Sequence, residues 1–214
     1  MLPTRQTLMT RTKIALIILV VLYVIGFLFL DKPIAQWMHL YATGTIWAQL
    51  ANILSRYTKS FLVLALGILC LLVGWQRFGK NANWTQAYGW WLFGGTTTCA
   101  ILICYVIKMI VGRYRPVEWL NHGLYGFHWL SIQYNFTSTP SGHATAAFAA
   151  AVSLFYIVNC KWFRTLIILL AFCIAISRVI VTAHYLSDII LGGFIGTIVA
   201  WWVHYYLSLK LRPK

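Results

Sequence analysis

Apolar residues in this chain are concentrated in six long runs, and this pattern constrains its fold more than any other feature. The runs are Lys13 to Leu30, Phe61 to Trp75, Ala87 to Val111, Ala144 to Val158, Phe163 to Val181 and Ile189 to Leu207. A transmembrane helix needs about 20 residues, so the second and fourth runs must borrow residues from their flanks. Only 9% of the 214 residues are charged, whereas a soluble domain has about 25%. We therefore predict an all-α polytopic membrane protein with six transmembrane helices.

The segments around these runs indicate how the chain is organised. Residues 1–214 contain no linker or low-complexity stretch, so we predict a single domain. The first run has a basic flank, but it is long and no small-residue cleavage site follows, so it is interpreted as a retained anchor helix rather than a signal peptide. Between Asp31 and Lys59, apolar residues recur at helical spacing among polar ones, which predicts short interfacial helices between the first and second spans.

The distribution of basic residues predicts the orientation of the helices. The chain has 17 lysines and arginines and a net charge of +14, but no basic run lies on a soluble face, which argues against nucleic-acid binding. Ten of them share one predicted side: Arg5, Arg11, Lys13, Arg77, Lys80, Lys161, Arg164, Lys210, Arg212 and Lys214. Because basic residues are enriched in cytoplasmic loops, we predict cytoplasmic termini. The loop 112–139 and the turn near His184 would then face the periplasm from a bacterial inner membrane.

Acidic residues and cysteines give no indication of a metal centre. The three acids, Asp31, Glu118 and Asp188, are far apart in sequence, whereas Mg²⁺ and Ca²⁺ need clustered oxygen ligands. The five cysteines lie in or beside apolar runs without a C-x-x-C motif, and they are interpreted as small buried apolar residues. We therefore expect no metal and no cofactor.

Three short motifs in the second half of the chain combine cations, histidines and one carboxylate. They are Lys108-x6-Arg115-Pro116, Pro140-Ser141-Gly142-His143 and Ser177-Arg178-x5-His184-x3-Asp188. Cations can hold phosphate oxygens, one histidine can act as nucleophile and a second as acid, and a carboxylate can orient the first. The motifs therefore predict a phosphoryl-transfer site without a metal, at the predicted outer face.

Individual motif residues suggest more specific contacts. Arg115 can bind two phosphate oxygens, whereas Lys108 acts as a point charge. The second motif suits the first turn of a helix, where free N–H groups bind anions; Ser141 can cap this helix, contact phosphate, or do both. An arginine inside an apolar run is costly, so Arg178 is expected to have an anionic partner.

The spacing of His184 and Asp188 corresponds to one helical turn if that segment is helical. Asp188 can then accept a hydrogen bond from one ring nitrogen of His184 and leave the other nitrogen free to attack. Arg113 is an additional cation that either joins the site or is an ordinary topology or head-group charge. The remaining histidines are interpreted as interfacial or structural: His39, His122, His128 and His204.

These motifs resemble the signature of the type 2 phosphatidic acid phosphatase (PAP) superfamily, K-x6-RP, PSGH and SR-x5-H-x3-D, and every signature position is matched. The resemblance implies that His184 forms a phosphohistidine, and that His143 protonates the leaving oxygen and later activates water. It also implies that no metal takes part and that the phosphate is held by Lys108, Arg115, Arg178, Ser141 and the Gly142 backbone. Soluble vanadium haloperoxidases share these motifs, but the hydropathy of this chain favours the lipid phosphatase branch.

The predicted function is hydrolysis of a phosphomonoester or pyrophosphate of a membrane lipid. Candidate substrates are phosphatidic acid, phosphatidylglycerophosphate, undecaprenyl pyrophosphate and the lipid A 1-phosphate. A phosphotransferase that passes the phosphoryl group to another lipid would use the same site. A non-catalytic lipid or anion transporter is a third hypothesis, against which the His–Asp pair argues because transport needs no nucleophile. The sequence leaves the oligomeric state and the role of the loop 117–139 open.

Overall fold

Helices make up almost all of the regular structure. In a computed structural model that describes residues 4–81 and 84–210, the chain forms nine α-helices and, within those residues, no β-sheet. The helices are α1 (Arg5–Ile25), α2 (Asp31–Tyr41), α3 (Ile46–Tyr57), α4 (Ser60–Asn81), α5 (Trp84–Val111), α6 (Pro116–His122), α7 (Gly142–Ile157), α8 (Lys161–Ile180) and α9 (Leu186–Lys210). The predicted all-α fold is therefore confirmed.

Five helical segments are long and apolar enough to cross a membrane: Arg5–Tyr41, Ile46–Gly79, Trp84–Val111, Lys161–Ile180 and Leu186–Lys210. The remaining predicted span is the fourth apolar run, which forms α7. This helix has 16 residues and rises about 24 Å. The second run gains additional helical residues from its flanks and forms the longer helix α4, whereas the fourth run gains few. Pro140 precedes it, and Val158 ends it with an extended backbone. The six-helix architecture is confirmed, with one helix shorter than a full span.

A π-helical segment at Gly26–Leu30 joins α1 directly to α2. Gly26 lies against the start of α9, where an added Cβ atom would be 3.0 Å from the Cβ atom of Ser187. Asp31, at the start of α2, is buried, and its Oδ1 accepts a hydrogen bond from the Ser187 backbone N–H at 3.0 Å. The short helices predicted between the first and second spans are present as α2 and α3, and α2 begins with a carboxylate directed into the protein.

Small residues allow α7 and α9 to pack closely. A Cβ atom on Gly196 would lie 2.5 Å from the Thr145 carbonyl oxygen and 2.7 Å from the Ala149 backbone nitrogen. A Cβ atom on Gly192 would likewise lie 2.6 Å from the Ser141 carbonyl oxygen. This close packing holds the first turn of α7 against α9.

The outer surface of the bundle is apolar. Large side chains such as Ile17, Leu72 and Leu166 are exposed, as is usual for helices that contact lipid. The cysteines divide between the two environments: Cys70 and Cys104 are buried, whereas Cys99, Cys160 and Cys173 are exposed. The interpretation of all five as buried residues is therefore wrong for three, because apolar runs in a membrane protein face lipid as well as core.

The loop between α5 and α7 folds back over one end of the bundle. The backbone N–H of Arg113 donates to the Phe136 carbonyl at 2.5 Å, and the Arg113 carbonyl accepts from the Ser138 N–H at 3.0 Å. Gly112 precedes this contact with a φ of +44°, a left-handed conformation that favours glycine. The fold-back places the carbonyl groups of residues 134–138 beside the end of α5.

The helix directions separate the motifs from most of the basic residues. Helices α5 and α8 end near the first and third motifs, and α4, α7 and α9 begin at that same end. The described basic residues of the predicted cytoplasmic set lie toward the opposite helix ends, on α1, α4, α8 and α9; Arg212, Lys214 and the side chain of Lys80 lie outside the described part of the chain. One end of the bundle therefore carries the motifs, and the other end carries these basic residues.

We expect Gly196→Ala to lower the free energy of unfolding by about 1–3 kcal/mol, because the added methyl group meets backbone atoms of α7. Gly79→Ala is the matched control, since Gly79 is also helical and an added Cβ atom there has nothing within 4 Å. Thermal unfolding of both variants in the same detergent measures the difference. Equal unfolding temperatures would contradict the packing argument.

Candidate active site

One cavity of about 630 Å³ lies at the motif end of the bundle. Its lining includes six predicted site residues: Lys108, Arg115, Gly142, His143, Arg178 and His184. The remaining lining residues are Asn52, Ser55, Arg56, Lys59, Ser60, Phe61, Tyr105, Tyr134 and Thr137. Ser141 and Asp188 are fully buried behind the wall. The structure thus brings residues of all three motifs to one place.

Backbone carbonyls of the loop hold the cations of the first motif. Lys108 Nζ donates to the Thr137 carbonyl at 2.7 Å and to the next carbonyl at 3.3 Å. Arg115 donates from Nε to the Tyr134 carbonyl at 2.7 Å and from Nη1 to the Ala183 carbonyl at 2.8 Å. Its guanidinium carbon lies 3.8 Å from the centre of the Tyr134 ring. Lysine has three N–H donors and arginine five, so each side chain is positioned and still retains donors for a ligand.

Helix α3 contributes a contact that the motifs did not reveal. The Ser55 carbonyl lies 3.2 Å from His143 Nε2, and the Ser55 hydroxyl contacts Arg178 Nη1. A carbonyl oxygen can only accept, so Nε2 of His143 carries the proton and Nδ1 is the free ring nitrogen. Because Ser55 lies outside every motif, only the packing of α3 against α8 could show this contact.

Arg178 has no anionic partner within the described residues. Salt bridges among residues 4–81 and 84–210 do not include it, and its buried Nε has no hydrogen-bond partner there. The expected partner is therefore not part of the described chain. A buried N–H without an acceptor is costly, and an anion in the cavity would satisfy it.

The second motif begins α7 as predicted. The Ser141 hydroxyl oxygen accepts from the Ala144 N–H at 3.5 Å, and the Ser141 N–H donates to the Asp188 carbonyl at 3.0 Å. Ser141 is therefore observed as the helix cap. A Cβ atom on Gly142 would lie 2.7 Å from the Ser60 hydroxyl oxygen, so glycine leaves room for α4 beside the cavity.

His184 lies deep in the cavity, just before α9, with 3% of its surface exposed. Its Nε2 is 3.5 Å from Arg115 Nη1, and its Nδ1 is 3.7 Å from Asp188 Oδ2. The second distance is too long for a hydrogen bond, and Nδ1 has no partner among the described residues. The predicted pair is therefore aligned but not hydrogen-bonded. Such contacts often tighten only when substrate binds.

Arg113 forms a buried ion pair with two carboxylates. Its Nη1 lies 2.6 Å from Asp188 Oδ1 and its Nη2 lies 2.7 Å from Asp31 Oδ2, and all three side chains are buried. The interpretation of Arg113 as a topology or head-group charge is therefore wrong. Asp31 was missed as a site residue, although a carboxylate at the end of an apolar run is a signal that a buried cation is nearby.

Hydroxyl and backbone groups complete this network. Asp188 Oδ2 accepts from the Ser138 hydroxyl at 2.5 Å and from the Tyr185 N–H at 2.9 Å. The Ser187 hydroxyl lies 2.7 Å from Arg113 Nη1 and 2.5 Å from Asp31 Oδ2. With the Arg113 contact, Asp188 accepts three hydrogen bonds, and these fix its carboxylate beside His184.

Burial and charge set the protonation states around the cavity floor. Burial lowers the pKa of His184 well below its ordinary value of 6.5, and the positive charge of Arg115 adds to this effect. The imidazole is therefore neutral at pH 7. Burial also opposes the charge on Arg113, but attraction by Asp188 and Asp31 outweighs it and raises the pKa of Arg113.

Metal-ligating residues do not cluster in the part of the chain that the structure describes. No group of three or more histidine, cysteine or acidic residues there could hold a metal ion. Asp31 and Asp188 do approach each other despite their separation in sequence, but the Arg113 guanidinium lies between them.

The family follows from comparison with known proteins. The PAP2 superfamily profile matches residues 89–212, more than half of the chain. This chain belongs to the PAP2 superfamily. The matched region contains all three motifs, so the family resemblance inferred from them is confirmed.

Several PAP2 relatives have names that refer to lipid A. A lipid A 1-phosphatase of Rhizobium etli is 30% identical over 158 residues, which cover 69% of this chain and 66% of that protein. A lipid A 1-phosphatase of Rhizobium johnstonii is 35% identical over 53% of this chain and 44% of its own length. A lipid A 4'-phosphatase of Bacteroides thetaiotaomicron is 27% identical over 63% and 61%. The chain thus spans slightly under two thirds of these relatives at most.

A solved PAP2 structure shares the fold. It is the crystal structure of a transmembrane PAP2 type phosphatidylglycerolphosphate phosphatase from Bacillus subtilis, with a TM-score of 0.61 over 94% of this chain and 97% of that one. The two sequences are 18% identical, so the likeness concerns the fold alone. It supports the multi-pass membrane architecture described above.

We expect Arg113→Gln to lower the free energy of unfolding by about 3–5 kcal/mol, because it leaves Asp31 and Asp188 buried without their counter-charge. Arg77→Gln is the control, since Arg77 is an exposed arginine near the far end of α4; it should change stability by less than about 0.5 kcal/mol. Thermal unfolding in detergent measures both. A similar unfolding temperature for the two variants would refute a stabilising ion pair.

Proposed function

We propose that this protein is an integral membrane phosphatase that hydrolyses a phosphate ester or pyrophosphate bond of a membrane lipid. The observation that carries the proposal is one cavity, in a bundle of helices long and apolar enough to span a membrane, which three buried cations and two histidines line. Cations bind phosphate oxygens, a neutral imidazole is a nucleophile, and a lipid can approach between the helices. On this proposal residues 1–214 act as a single domain.

The names of the relatives suggest which substrates to test. Two relatives are named for the 1-phosphate of lipid A, one for its 4'-phosphate, and the structural neighbour for phosphatidylglycerolphosphate. A suitable panel adds phosphatidic acid and undecaprenyl pyrophosphate to these lipids. A phosphotransferase would use the same residues, and it would transfer the phosphoryl group to an acceptor lipid instead of releasing free phosphate.

In the first proposed step, His184 attacks the phosphorus atom. Its Nε2 lone pair forms the P–N bond while the bond from phosphorus to the leaving oxygen breaks. Lys108, Arg115 and Arg178 hold the phosphate oxygens, together with the Gly142 backbone. His143, protonated once the negatively charged phosphate lies beside it, gives the Nδ1 proton to the leaving oxygen, since its Nε2 is held by the Ser55 carbonyl. The first product is the dephosphorylated lipid or, from a pyrophosphate, the lipid monophosphate.

In the second proposed step, water replaces His184 on phosphorus. His143, now neutral, takes a proton from the water as the new P–O bond forms and the P–N bond breaks. Neutral His184 and inorganic phosphate result, and His143 is again protonated. The same histidine thus acts as acid and then as base.

Asp188, Arg113 and Asp31 have a supporting role in this mechanism. Asp188 faces Nδ1 of His184 and stabilises the positive charge that the ring acquires when Nε2 is phosphorylated. Arg113 alone would cancel the charge of Asp188. Because Asp31 also pairs with Arg113, the cluster of three keeps a net charge of −1 beside the ring.

We expect His184→Ala to lower kcat by about 10³-fold or more while the protein still folds, because it removes the nucleophile. His39→Ala is the matched control, since His39 is exposed and does not line the cavity. Asp188→Asn should be milder but still severe, because an amide does not stabilise the charged ring. Release of free phosphate from the lipid panel in detergent is the measurement. Full activity in the His184→Ala variant would show that His184 is not the nucleophile.

We further propose that the reaction needs no metal ion. The donor set supports this, because the cavity lining contains cations and two histidines but no carboxylate. Phosphate release should therefore be unchanged after treatment with EDTA, and vanadate should inhibit as a five-coordinate phosphate analogue. Activity that disappears in EDTA and returns with Mg²⁺ would contradict the proposal.

The orientation is also a proposal: cytoplasmic termini and a cavity that faces the periplasm. Its support is the sequence count, in which ten of the 17 lysines and arginines are assigned to the side opposite the motifs. After replacement of the native cysteines, Ile132→Cys should react with a membrane-impermeant thiol reagent in intact spheroplasts, whereas Trp162→Cys should not. The two positions are 84% and 86% exposed, so they form a matched pair. The reverse labelling pattern would overturn the topology.

A further inference from the structure

The cavity carries more positive charge than a single phosphate requires. Five lysines and arginines line it: Arg56, Lys59, Lys108, Arg115 and Arg178. Aspartate and glutamate are absent from this lining. A phosphate monoester contributes a charge of about −1.5 to −2 at pH 7. With one phosphate bound, the wall would therefore keep unmatched positive charge.

The acids of the chain do not supply that missing negative charge. The sequence contains three: Asp31 and Asp188 pair with Arg113, and Glu118 accepts from Asn135 Nδ2 at 2.7 Å and lies 3.1 Å from His122 Nδ1. Within residues 4–81 and 84–210, neither Arg56 nor Lys59 forms a salt bridge. These two cations therefore have no carboxylate partner among the described residues, and an anionic ligand would supply the opposite charge.

The five cations lie at two depths in the cavity, three of them buried and two exposed. Lys108, Arg115 and Arg178 are buried around His184 and are the residues proposed to hold the phosphate that is removed. Arg56 and Lys59 are exposed, and with Asn52 they form the wall made by the end of α3 and the connection to α4. Asn52 and Arg56 are one helical turn apart and face the same side. A volume of about 630 Å³ is in the range that holds a whole head group.

We propose that Asn52, Arg56 and Lys59 form a second anion subsite, which binds a second phosphate group of the same substrate molecule. This inference rests on the proposed phosphatase activity and narrows its substrate class to lipids with two phosphates. Charged and amide N–H groups are suitable donors to phosphate oxygens. The second phosphate is either joined to the first as a pyrophosphate or attached elsewhere on the same head group.

The test uses the double variant Arg56→Gln/Lys59→Gln and two pairs of lipids. One pair is a polyprenyl pyrophosphate and the corresponding monophosphate. The other is a glycolipid with phosphates on two sugars and the same glycolipid with one. Arg77→Gln/Lys161→Gln is the control, because it removes the same net charge from exposed positions at the far ends of α4 and α8. Release of free phosphate gives kcat/KM for each lipid.

The subsite variant should lose about tenfold more kcat/KM on a two-phosphate lipid than on its one-phosphate partner, since each exposed ion pair contributes a few-fold. A selective loss with the pyrophosphate supports adjacent phosphates, and a selective loss with the glycolipid supports separate ones. Equal losses within both pairs, or the same selectivity in the control variant, would overturn the subsite. If the wild-type protein releases phosphate from none of the four lipids, the proposed activity itself fails. Activity on the one-phosphate lipids also verifies that the variant is folded.

Discussion

The ion pair of Arg113 with Asp31 and Asp188 is the interaction on which the motif end of this protein depends. It joins the start of α2, the start of α9 and the loop after α5, three parts that are far apart in sequence. Separating any of them would leave a charge in an apolar interior, which costs several kcal/mol. The same arginine pairs through its backbone with Phe136 and Ser138. One residue therefore fixes both the covering loop and the carboxylate behind His184.

This anchoring organises the charges around the cavity. Asp188 is directed at one nitrogen of His184, and the loop carbonyls of Thr137 and Tyr134 hold the cations on the other side. The imidazole of His184 thus lies between the carboxylate of Asp188 on one side and the cations of the cavity wall on the other. Such a field is complementary to an incoming phosphate and to the positive ring that follows its transfer.

The sequence predicted the regular parts of this molecule better than the connections between them. The apolar runs identified the long helices, because hydrophobic spacing is a local property. The motif residues converge because each lies near a helix end, and the alternating directions of the helices bring these ends to one face. Asp31, Ser55 and the role of Arg113 were missed, because their partners are far away in sequence. Only tertiary packing shows that Asp31 neutralises a cation 82 residues later.

The short length of α7 has a consequence for the depth of the cavity in the membrane. A helix of 16 residues rises about 24 Å, several ångströms less than the hydrocarbon core of about 30 Å. Either the bilayer thins beside α7 or the first turn of α7 lies below the plane of the head groups. In both cases Gly142 and His143 at this turn lie nearer the middle of the bilayer than they would on a helix of full span length. For the proposed phosphatase, this depth would favour phosphates attached through a short linker to an inserted tail over soluble phosphate esters, which have no anchor at that depth.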